Sequence, residues 1–325
     1  ETAAQKKLRG DVIDYLSGQV KSLLSDGQAV DFQVTLDRKA DDLSAQFSLS
    51  PKPGSPLAKA IAKMNKRESR FAPVNGAAGY LALNVAVPEA LRGPLMSALE
   101  EGFKQQQAGQ KDAVKKDLAQ KVYDAVKPTV SAGQLDVFFV LVGPNSAGKY
   151  TAAGGIKLKD AGRVDQLVRD LINVVPDPKA KEAIHLDAET IGDVKVHKIV
   201  PPEIDPETKR VFGGDATAVF AFPADAQVAA FGSDASKVLR KIIASPGQAG
   251  EPFRAEGSIA RLSALDKNAG DTAKKAADVA FGSDKSADVV HVTLSGGQSL
   301  RLQASVKTQV VKFIAKMDEA KKDGE

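Results

Sequence analysis

Residues 289–317 decide the fold, and they read VVHVTLSGGQSLRLQASVKTQVVKFIAKM. Apolar and polar residues alternate on both sides of Gly296-Gly297, which is typical of a β-hairpin with one apolar face. The spacing then changes to that of an amphipathic helix, with apolar positions at Val310, Val311, Ile314 and Met317. The stretch therefore predicts a hairpin covered by the helix that follows it.

The same order recurs near the start of the chain. Residues 32–49 alternate around a polar turn at 37–42, and Pro56 opens a helical stripe formed by Leu57, Ala60, Ile61 and Met64. The tetrapeptide Ile-Ala-Lys-Met occurs in both helices, at 61–64 and 314–317. We expect the two units to superpose, with Met64 and Met317 buried against their own hairpins.

A third unit occupies residues 137–171. The apolar run 137–142 predicts a strand buried on both faces, 144–149 a turn, and 152–158 the return strand. Gly154 and Gly155 in the return strand indicate either a bulge or close packing. A helix with Val164, Leu167, Val168 and Leu171 on one side follows.

These units predict an α+β protein with antiparallel sheets, helices packed on one face, and partial internal duplication. Residues 217–222 and 227–231 predict another hairpin, and 184–186 and 194–200 predict short strands. A helix that contains Val122 and Val126 is expected to end at Pro128. The segment 128–134 gives the best boundary between an N-terminal lobe, 1–132, and a C-terminal lobe, 133–325.

Composition narrows the possible chemistry. The 325 residues include 45 Lys and Arg against 41 Asp and Glu, so the net charge of +4 comes from scattered lysines and does not predict a specific nucleic-acid surface. The absence of cysteine excludes disulfides, thiolate metal sites and cysteine nucleophiles. The sequence contains no run of about 18 apolar residues, so it predicts no transmembrane segment.

One motif resembles a nucleotide-binding loop. Residues 143–149, with Gly143, Gly148 and Lys149, fit G-x-x-x-x-G-K after a strand. A true phosphate loop continues with Ser or Thr and opens a helix, whereas here Tyr150 follows and the next residues alternate like a strand. We therefore interpret these residues as a hairpin turn, and expect Lys149 to point into solvent.

The other candidate groups favour no catalytic or metal site. His185, His197 and His291 lie in strand patterns and are each expected to face solvent, with at most a neighbouring Asp187 or Asp193. The motif Phe-Gly-Ser-Asp occurs at 231–234 and again at 281–284, and it predicts the end of a strand followed by a helix cap. An acidic stretch from Asp187 to Glu207 reads as solvated loop charge. We expect no catalytic residue, no cofactor and no bound metal.

A resemblance adds a cellular context. The hairpin and helix of 149–171, the Gly-Asp-Val strand at 192–200 and the Ser-Asp-capped helix within 216–243 resemble an uncharacterised family of exported cell-envelope proteins of planctomycete-type bacteria. The resemblance covers residues 79–317 and implies an extracytoplasmic location, periplasmic or secreted, without implying any catalytic residue. The chain opens with Glu1, as expected after signal-peptide removal or at a cloning boundary.

Three functional hypotheses follow. The first is a non-enzymatic structural or interaction protein of a bacterial envelope, whose partner is a protein or another envelope component. The second is a binding protein for a small apolar ligand or lipid, which requires space between a sheet and its helices. The third is nucleotide binding at residues 143–149.

Overall fold

A computed structural model gives the fold of residues 2–64, 67–74, 76–109, 113–173, 177–267, 270–282 and 287–322, which are the residues that the structure describes. The strands are β1 (Gly27–Asp37), β2 (Asp42–Pro51), β3 (Glu68–Ser69), β4 (Ala77–Ala86), β5 (Gln134–Val142), β6 (Thr151–Lys157), β7 (Ile184–Ile191), β8 (Val194–Ile199), β9 (Thr217–Ala221), β10 (Ala226–Gly232), β11 (Gln248–Ala249), β12 (Phe253–Ser258), β13 (Val289–Ser295) and β14 (Leu300–Lys307). The helices are α1 (Ala3–Asp26), α2 (Pro56–Met64), α3 (Glu89–Gly109), α4 (Ala113–Ala132), α5 (Ala161–Asn173), α6 (Pro178–Glu182), α7 (Pro206–Phe212), α8 (Ala235–Ala244), α9 (Ile259–Ser263), α10 (Gly270–Phe281) and α11 (Thr308–Lys322).

Twelve strands form one antiparallel sheet, in the order β1-β2-β14-β13-β12-β4-β5-β6-β10-β9-β8-β7, and β3 pairs with β11 in a separate ribbon. The α+β class and the antiparallel pairing predicted from the sequence are confirmed. Each predicted hairpin is present, because period-two alternation and short turns bring neighbouring strands together. None of the described helices is long and apolar enough to cross a membrane.

The main hydrophobic core lies on one side of β5, β6, β10, β9 and β8. Helix α8 closes it with Val238, Leu239 and Ile242, which pack against side chains that include Val140, Ala153, Val219, Val228 and Ala230. Gly154 and Gly155 serve close packing, since the β5–β6 register continues without a shift through both positions. A Cβ at Gly155 would come within 2.8 Å of the Phe138 ring.

The other helices form two groups. Helices α1, α3, α4 and α5 pack side by side in that order, and α10 packs on α11. Helix α5 reaches the sheet on the side opposite α8, because Asp165 bonds to His197 of β8. Helices therefore lie on both sides of the sheet at β8, and not on one face only as predicted.

The order hairpin, helix, short strand, long strand, helix pair, hairpin and helix occurs twice along the chain. It runs from β1 to α5 and again from β9 to α11, and the two series meet where β4 pairs with β12 and β3 with β11. The predicted lobe boundary near residue 132 falls between α4 and β5, and β4 pairs with β5 across it. The predicted duplication, in which residues 32–64 and 289–317 superpose, is not confirmed and stays a prediction, as does the two-lobe division.

The predicted stripe of α11 is wrong in detail. Val310 and Phe313 are buried, whereas Val311 and Ile314 are about half exposed. Met317 is partly buried in the cluster of α10 and α11. Val310, Phe313 and Met317, at positions i, i+3 and i+7, face α10. The prediction considered only the contact of α11 with its own hairpin and therefore missed α10.

The expected burial of the two methionines is likewise only partial. Met64 packs, partly buried, against Leu49, Leu57 and Ile61, with Leu300 alongside. The helix of residues 113–132 also continues past Pro128 to Ala132, contrary to the prediction. Helix α4 packs between α3 and α5 and buries Ala125 fully. This packing outweighs the cost of the helical hydrogen bond that Pro128 cannot donate.

Candidate functional site

A row of apolar side chains crosses eight neighbouring strands on one side of the sheet. Residues that stand opposite each other in register point to the same side. The row consists of Phe32, Phe47, Leu302, Leu294, Phe253, Leu83, Val137 and Ile156. We call this side of the sheet the apolar face.

A second row on the apolar face runs parallel to the first. It consists of Val34, Ala45, Ala304, Val292, Ala255, Leu81, Phe139 and Gly154. Several large side chains in the two rows remain open to solvent: Phe32 is 71% exposed, and Phe139, in the middle of the sheet, is 52% exposed, whereas Phe253 is partly buried.

The other side of the same strands is polar at one end of the sheet. Gln33, Gln46, Gln303, Thr293 and Arg254 stand in one register row from β1 to β12. Strands β1, β2, β14 and β13 therefore carry a solvated polar side and an exposed apolar side. We call these four strands the open half, and the strands under α8 (β5, β6, β10, β9 and β8) the packed half.

Helix α1 adds exposed apolar surface beside the open half. Ile13, Leu16, Val20 and Leu24 are between 56% and 81% exposed, and α1 runs directly into β1 at Gly27. This helix is absent from the predictions made from the sequence. Its spacing of i, i+3, i+7 and i+11, beginning at Ile13, is the signal that could have identified it.

The loop that resembles a phosphate loop is the β5–β6 connection. Strand β6 begins at Thr151, so no helix starts at Lys149. The amides of Ala147 and Lys149 both donate to the side-chain oxygen of Asn145. The loop amides thus bind a group of the loop itself, as in an Asx turn.

Lys149 and Tyr150 are both held by neighbouring backbone. Lys149 is partly buried instead of pointing freely into solvent, and its Nζ donates to the carbonyl of Arg210 at 2.9 Å. Tyr150 is buried, and its hydroxyl donates to the carbonyl of Arg261. Burial raises the pKa of the Tyr150 phenol, which therefore stays protonated.

The prediction that all three histidines face solvent is wrong for His197. His185 and His291 are exposed, but His197 is fully buried under α5. Its Nδ1 accepts the amide hydrogen of Asp187, and its Nε2 lies 2.9 Å from the Asp165 carboxylate. Asp165 lies on α5, far from β8 in the chain, so the strand pattern alone could not place it. Both ring nitrogens are engaged, which leaves neither free to act on a substrate.

Charged groups around His197 fasten α5 to the edge of the sheet. Arg169 donates two hydrogen bonds to Asp187, at 2.6 and 3.1 Å, and also bonds to Asp165. The Arg169 guanidinium lowers the pKa of Asp187 to about 2. Among the described residues, no group of three His, Asp or Glu side chains could hold a metal ion.

The remaining polar candidates have structural partners. Ser233 donates to the carbonyl of Phe212 and to Asp215, and Asp234 accepts from Asn145. The repeat of this motif at 283–284 lies outside the described residues. In the acidic stretch, Asp205 caps α7.

Comparison with protein-family models, with curated proteins and with solved structures finds no significant match to this chain. The envelope family suggested by the sequence pattern stays a prediction.

Proposed function

We propose that the chain is a non-enzymatic interaction protein whose apolar face and edge strand β1 bind a second copy of the chain. The observation that carries this proposal is the pair of exposed apolar rows across the sheet. An extracytoplasmic, envelope location is part of the proposal and comes from the sequence resemblance.

The amount of exposed surface supports a binding role. The accessible surface of the chain is 18425 Å², whereas a monomer of 34.1 kDa is expected to expose roughly 12,800 Å². Soluble monomers rarely expose large contiguous apolar patches, since burying one Phe, Leu or Val side chain contributes about 1.5–3 kcal/mol. Pairing two copies along β1 buries part of the apolar side chains that this strand carries, which favours association.

The edge strand favours a protein over a lipid. Strand β1 ends the strand order, so no described strand pairs with its outer edge, and its apolar side chains Val30, Phe32, Val34 and Leu36 are 54–71% exposed. Unpaired backbone groups along an edge bind another strand. An acyl chain has no groups that can pair with them.

The register of β1 suits a second copy. In a dimer, two copies of β1 can pair antiparallel about a two-fold axis at Gln33. Phe32 of each copy then lies opposite Val34 of the other, and Asp31 lies opposite Thr35. Apolar residues meet apolar ones, and no like charges oppose each other. The apolar faces of the two copies then join into one surface.

Sedimentation velocity over a range of concentrations tests this proposal. We expect reversible dimers that Val34→Lys weakens at least tenfold, because the new charge faces Phe32. Thr35→Lys is the matched control on the same strand, and it keeps or strengthens the dimer because its ammonium faces Asp31 of the partner subunit. A wild-type chain that stays monomeric, or equal weakening by both variants, contradicts the proposal.

A second candidate, binding of a lipid or another apolar ligand, is favoured by the centre of the apolar face. Leu81 and Phe139 are 43% and 52% exposed, and they lie on strands far from β1, which strand addition does not cover. Calorimetric titration with palmitate tests this candidate: Leu81→Asn weakens binding and Val34→Lys leaves it unchanged. Absence of saturable heat argues against it.

Nucleotide binding at Gly143, Gly148 and Lys149 has the least support of the three hypotheses. The strand that follows Lys149 supplies no helix N-terminus for a phosphate.

A further inference from the structure

The order of strands in the sheet is symmetric about the β12–β4 pair. Outward from this pair, β13, β14, β2 and β1 match β5, β6, β10 and β9, so the hairpins that open the two series occupy equivalent places. The symmetry ends at the outer edge of these hairpins. Strand β8 pairs with β9 there, whereas no described strand pairs with the outer edge of β1. The β7–β8 hairpin therefore occupies the place that is open at β1.

The helices that close the two series begin at equivalent points. The Leu158 amide, just before α5, donates to the carbonyl of Asp225 in the β9–β10 turn at 2.9 Å. The amide of Thr308, the first residue of α11, donates to the carbonyl of Asp41 in the β1–β2 turn, also at 2.9 Å. Each helix thus starts at the turn of the hairpin that opens the other series.

Both helices lie on the side of the apolar face. His197, which bonds to Asp165 of α5, stands through β9 and β10 in the same register row as Gly154, which belongs to the second apolar row. Val306, which packs in the cluster of α10 and α11, points to the same side as Ala304, because the two are two residues apart on β14. Helix α11 is therefore placed toward the β1–β2 hairpin as α5 is placed toward β9–β10.

Helix α5 holds the β7–β8 hairpin at its edge of the sheet. Asp165 bonds to His197 of β8, and Arg169 bonds to Asp187 of β7. His197 also packs against Phe220 of β9, with ring centroids 5.0 Å apart. The added strand is therefore held both by its neighbour in the sheet and by the helix over it.

The two helices have the same apolar spacing. Apolar residues stand at i, i+3, i+4 and i+7, beginning at Val164 in α5 and at Val310 in α11. The second position of each set, Leu167 or Phe313, is buried. The helices therefore align on these positions.

The residues of α11 that correspond to the holding residues of α5 are free of cover. In this alignment Val311 takes the position of Asp165, and Ala315 takes that of Arg169. Both are exposed, Val311 by 52%, and the neighbouring Ile314 is 50% exposed. Helix α11 thus presents apolar side chains where α5 presents charged ones.

We propose that α11 is part of the dimer interface, so that β1 of one copy lies between β1 and α11 of the other. This inference rests on the dimer proposed above and adds a second surface to it. The edge of β1 supplies backbone hydrogen bonds, and α11 supplies side-chain contacts, as β9 and α5 do for β8. The two-fold axis makes the arrangement reciprocal.

The contact joins apolar groups on both sides. In the paired strands, Val34 of the partner subunit lies opposite Phe32, whereas in β8 it is His197 that lies opposite Phe220. An α5 carboxylate is the complement of the histidine, and Val311 is the complement of a valine. Burying these side chains together removes apolar surface from water.

Sedimentation velocity separates the role of α11 from the dimer itself. Val311→Lys should weaken the dimer at least tenfold, because it sets a charge against an apolar strand. Val279→Lys is the matched control, since Val279 lies on α10 and is 54% exposed, and it should leave the dimer unchanged. A wild-type monomer contradicts the dimer and this inference with it. A dimer that Val34→Lys weakens and Val311→Lys does not overturns only the role of α11.

Cross-linking adds a test with milder substitutions, because the sequence contains no cysteine. Chains with Val311→Cys and chains with Val34→Cys are mixed and oxidised, and the disulfide-linked product that contains one chain of each kind is measured by mass spectrometry. We expect at least tenfold more of this product than from Val279→Cys mixed with Val34→Cys, because a disulfide requires Cα atoms within about 7 Å. Equal yields from the two mixtures overturn the inference.

Discussion

The packed half and the open half of the sheet are built from the same kind of unit, yet their helices cover the strands to very different extents. In the packed half, α8 follows the β9–β10 hairpin and buries Leu239 completely against the strands. In the open half, α2 follows the β1–β2 hairpin but buries only Leu57 and Ile61, against Leu49 at the end of β2. A hairpin followed by an amphipathic helix therefore does not ensure that the helix covers the hairpin.

The difference lies in where each helix runs. Helix α8 crosses β10, β6 and β9, whereas α2 touches β2 and lies beside α1. Side-chain alternation determines which side of a strand is apolar, but only the return path of the chain determines whether that side is covered. The exposed rows of the open half are the consequence, and they are why we assign binding to that half.

The largest expected contrast compares one leucine from each half. Leu239→Ala should lower the free energy of unfolding by about 3–5 kcal/mol, since it leaves a cavity in a closed core. Leu302→Ala in the open half should cost about 1 kcal/mol or less, because the side chain is already 44% exposed. Urea unfolding followed by circular dichroism measures both values. Equal losses would mean that the open half is covered in solution.

A smaller contrast concerns α11. Phe313 is buried and stacks on Phe281 at 5.5 Å, whereas Met317 is only partly buried. We expect Phe313→Ala to cost about 3 kcal/mol and Met317→Ala about 1 kcal/mol in the same unfolding assay. A cost above about 2 kcal/mol for Met317→Ala would restore the expectation that this methionine is a core residue.

The carboxylate that fastens α5 to the packed half gives a pH-dependent effect. The pKa of Asp187 is lowered to about 2 by Arg169, below the ordinary value of about 3.9 for an unfolded chain. Its contribution to stability is therefore complete above about pH 4 and is lost as the pH falls through 2.

Asp187→Asn should remove this contribution. The residue has a positive φ of 53°, a conformation that Asn tolerates, so the backbone should be preserved. The side chain is 36% exposed, and solvent screening limits the loss at pH 7 to about 1 kcal/mol. The stabilities of variant and wild type should converge near pH 2. A difference that is constant with pH would show that the Asp187 charge is not responsible.

Local sequence patterns predict the strands, the hairpins and the helices that follow them, because alternation and turns are properties of neighbouring residues. They do not predict that His197 is buried, since Asp165 comes from another element. Likewise, the exposure of Phe139 could not be read from its apolar run, because a covered strand and an uncovered one have the same sequence pattern.

The smallest expected effect is at Lys149, in the β5–β6 turn at the edge of the packed half. Its Nζ makes one hydrogen bond, to the carbonyl of Arg210 near the surface. Lys149→Ala should therefore change the free energy of unfolding by less than about 0.5 kcal/mol. Magnesium–ATP at millimolar concentration should leave the melting temperature of both proteins unchanged. A functional phosphate loop predicts otherwise, since a ligand at 100 times its dissociation constant adds about 2.7 kcal/mol of stability. A nucleotide-dependent rise in melting temperature that Lys149→Ala removes would make this turn, and not the apolar face, the functional site of the molecule.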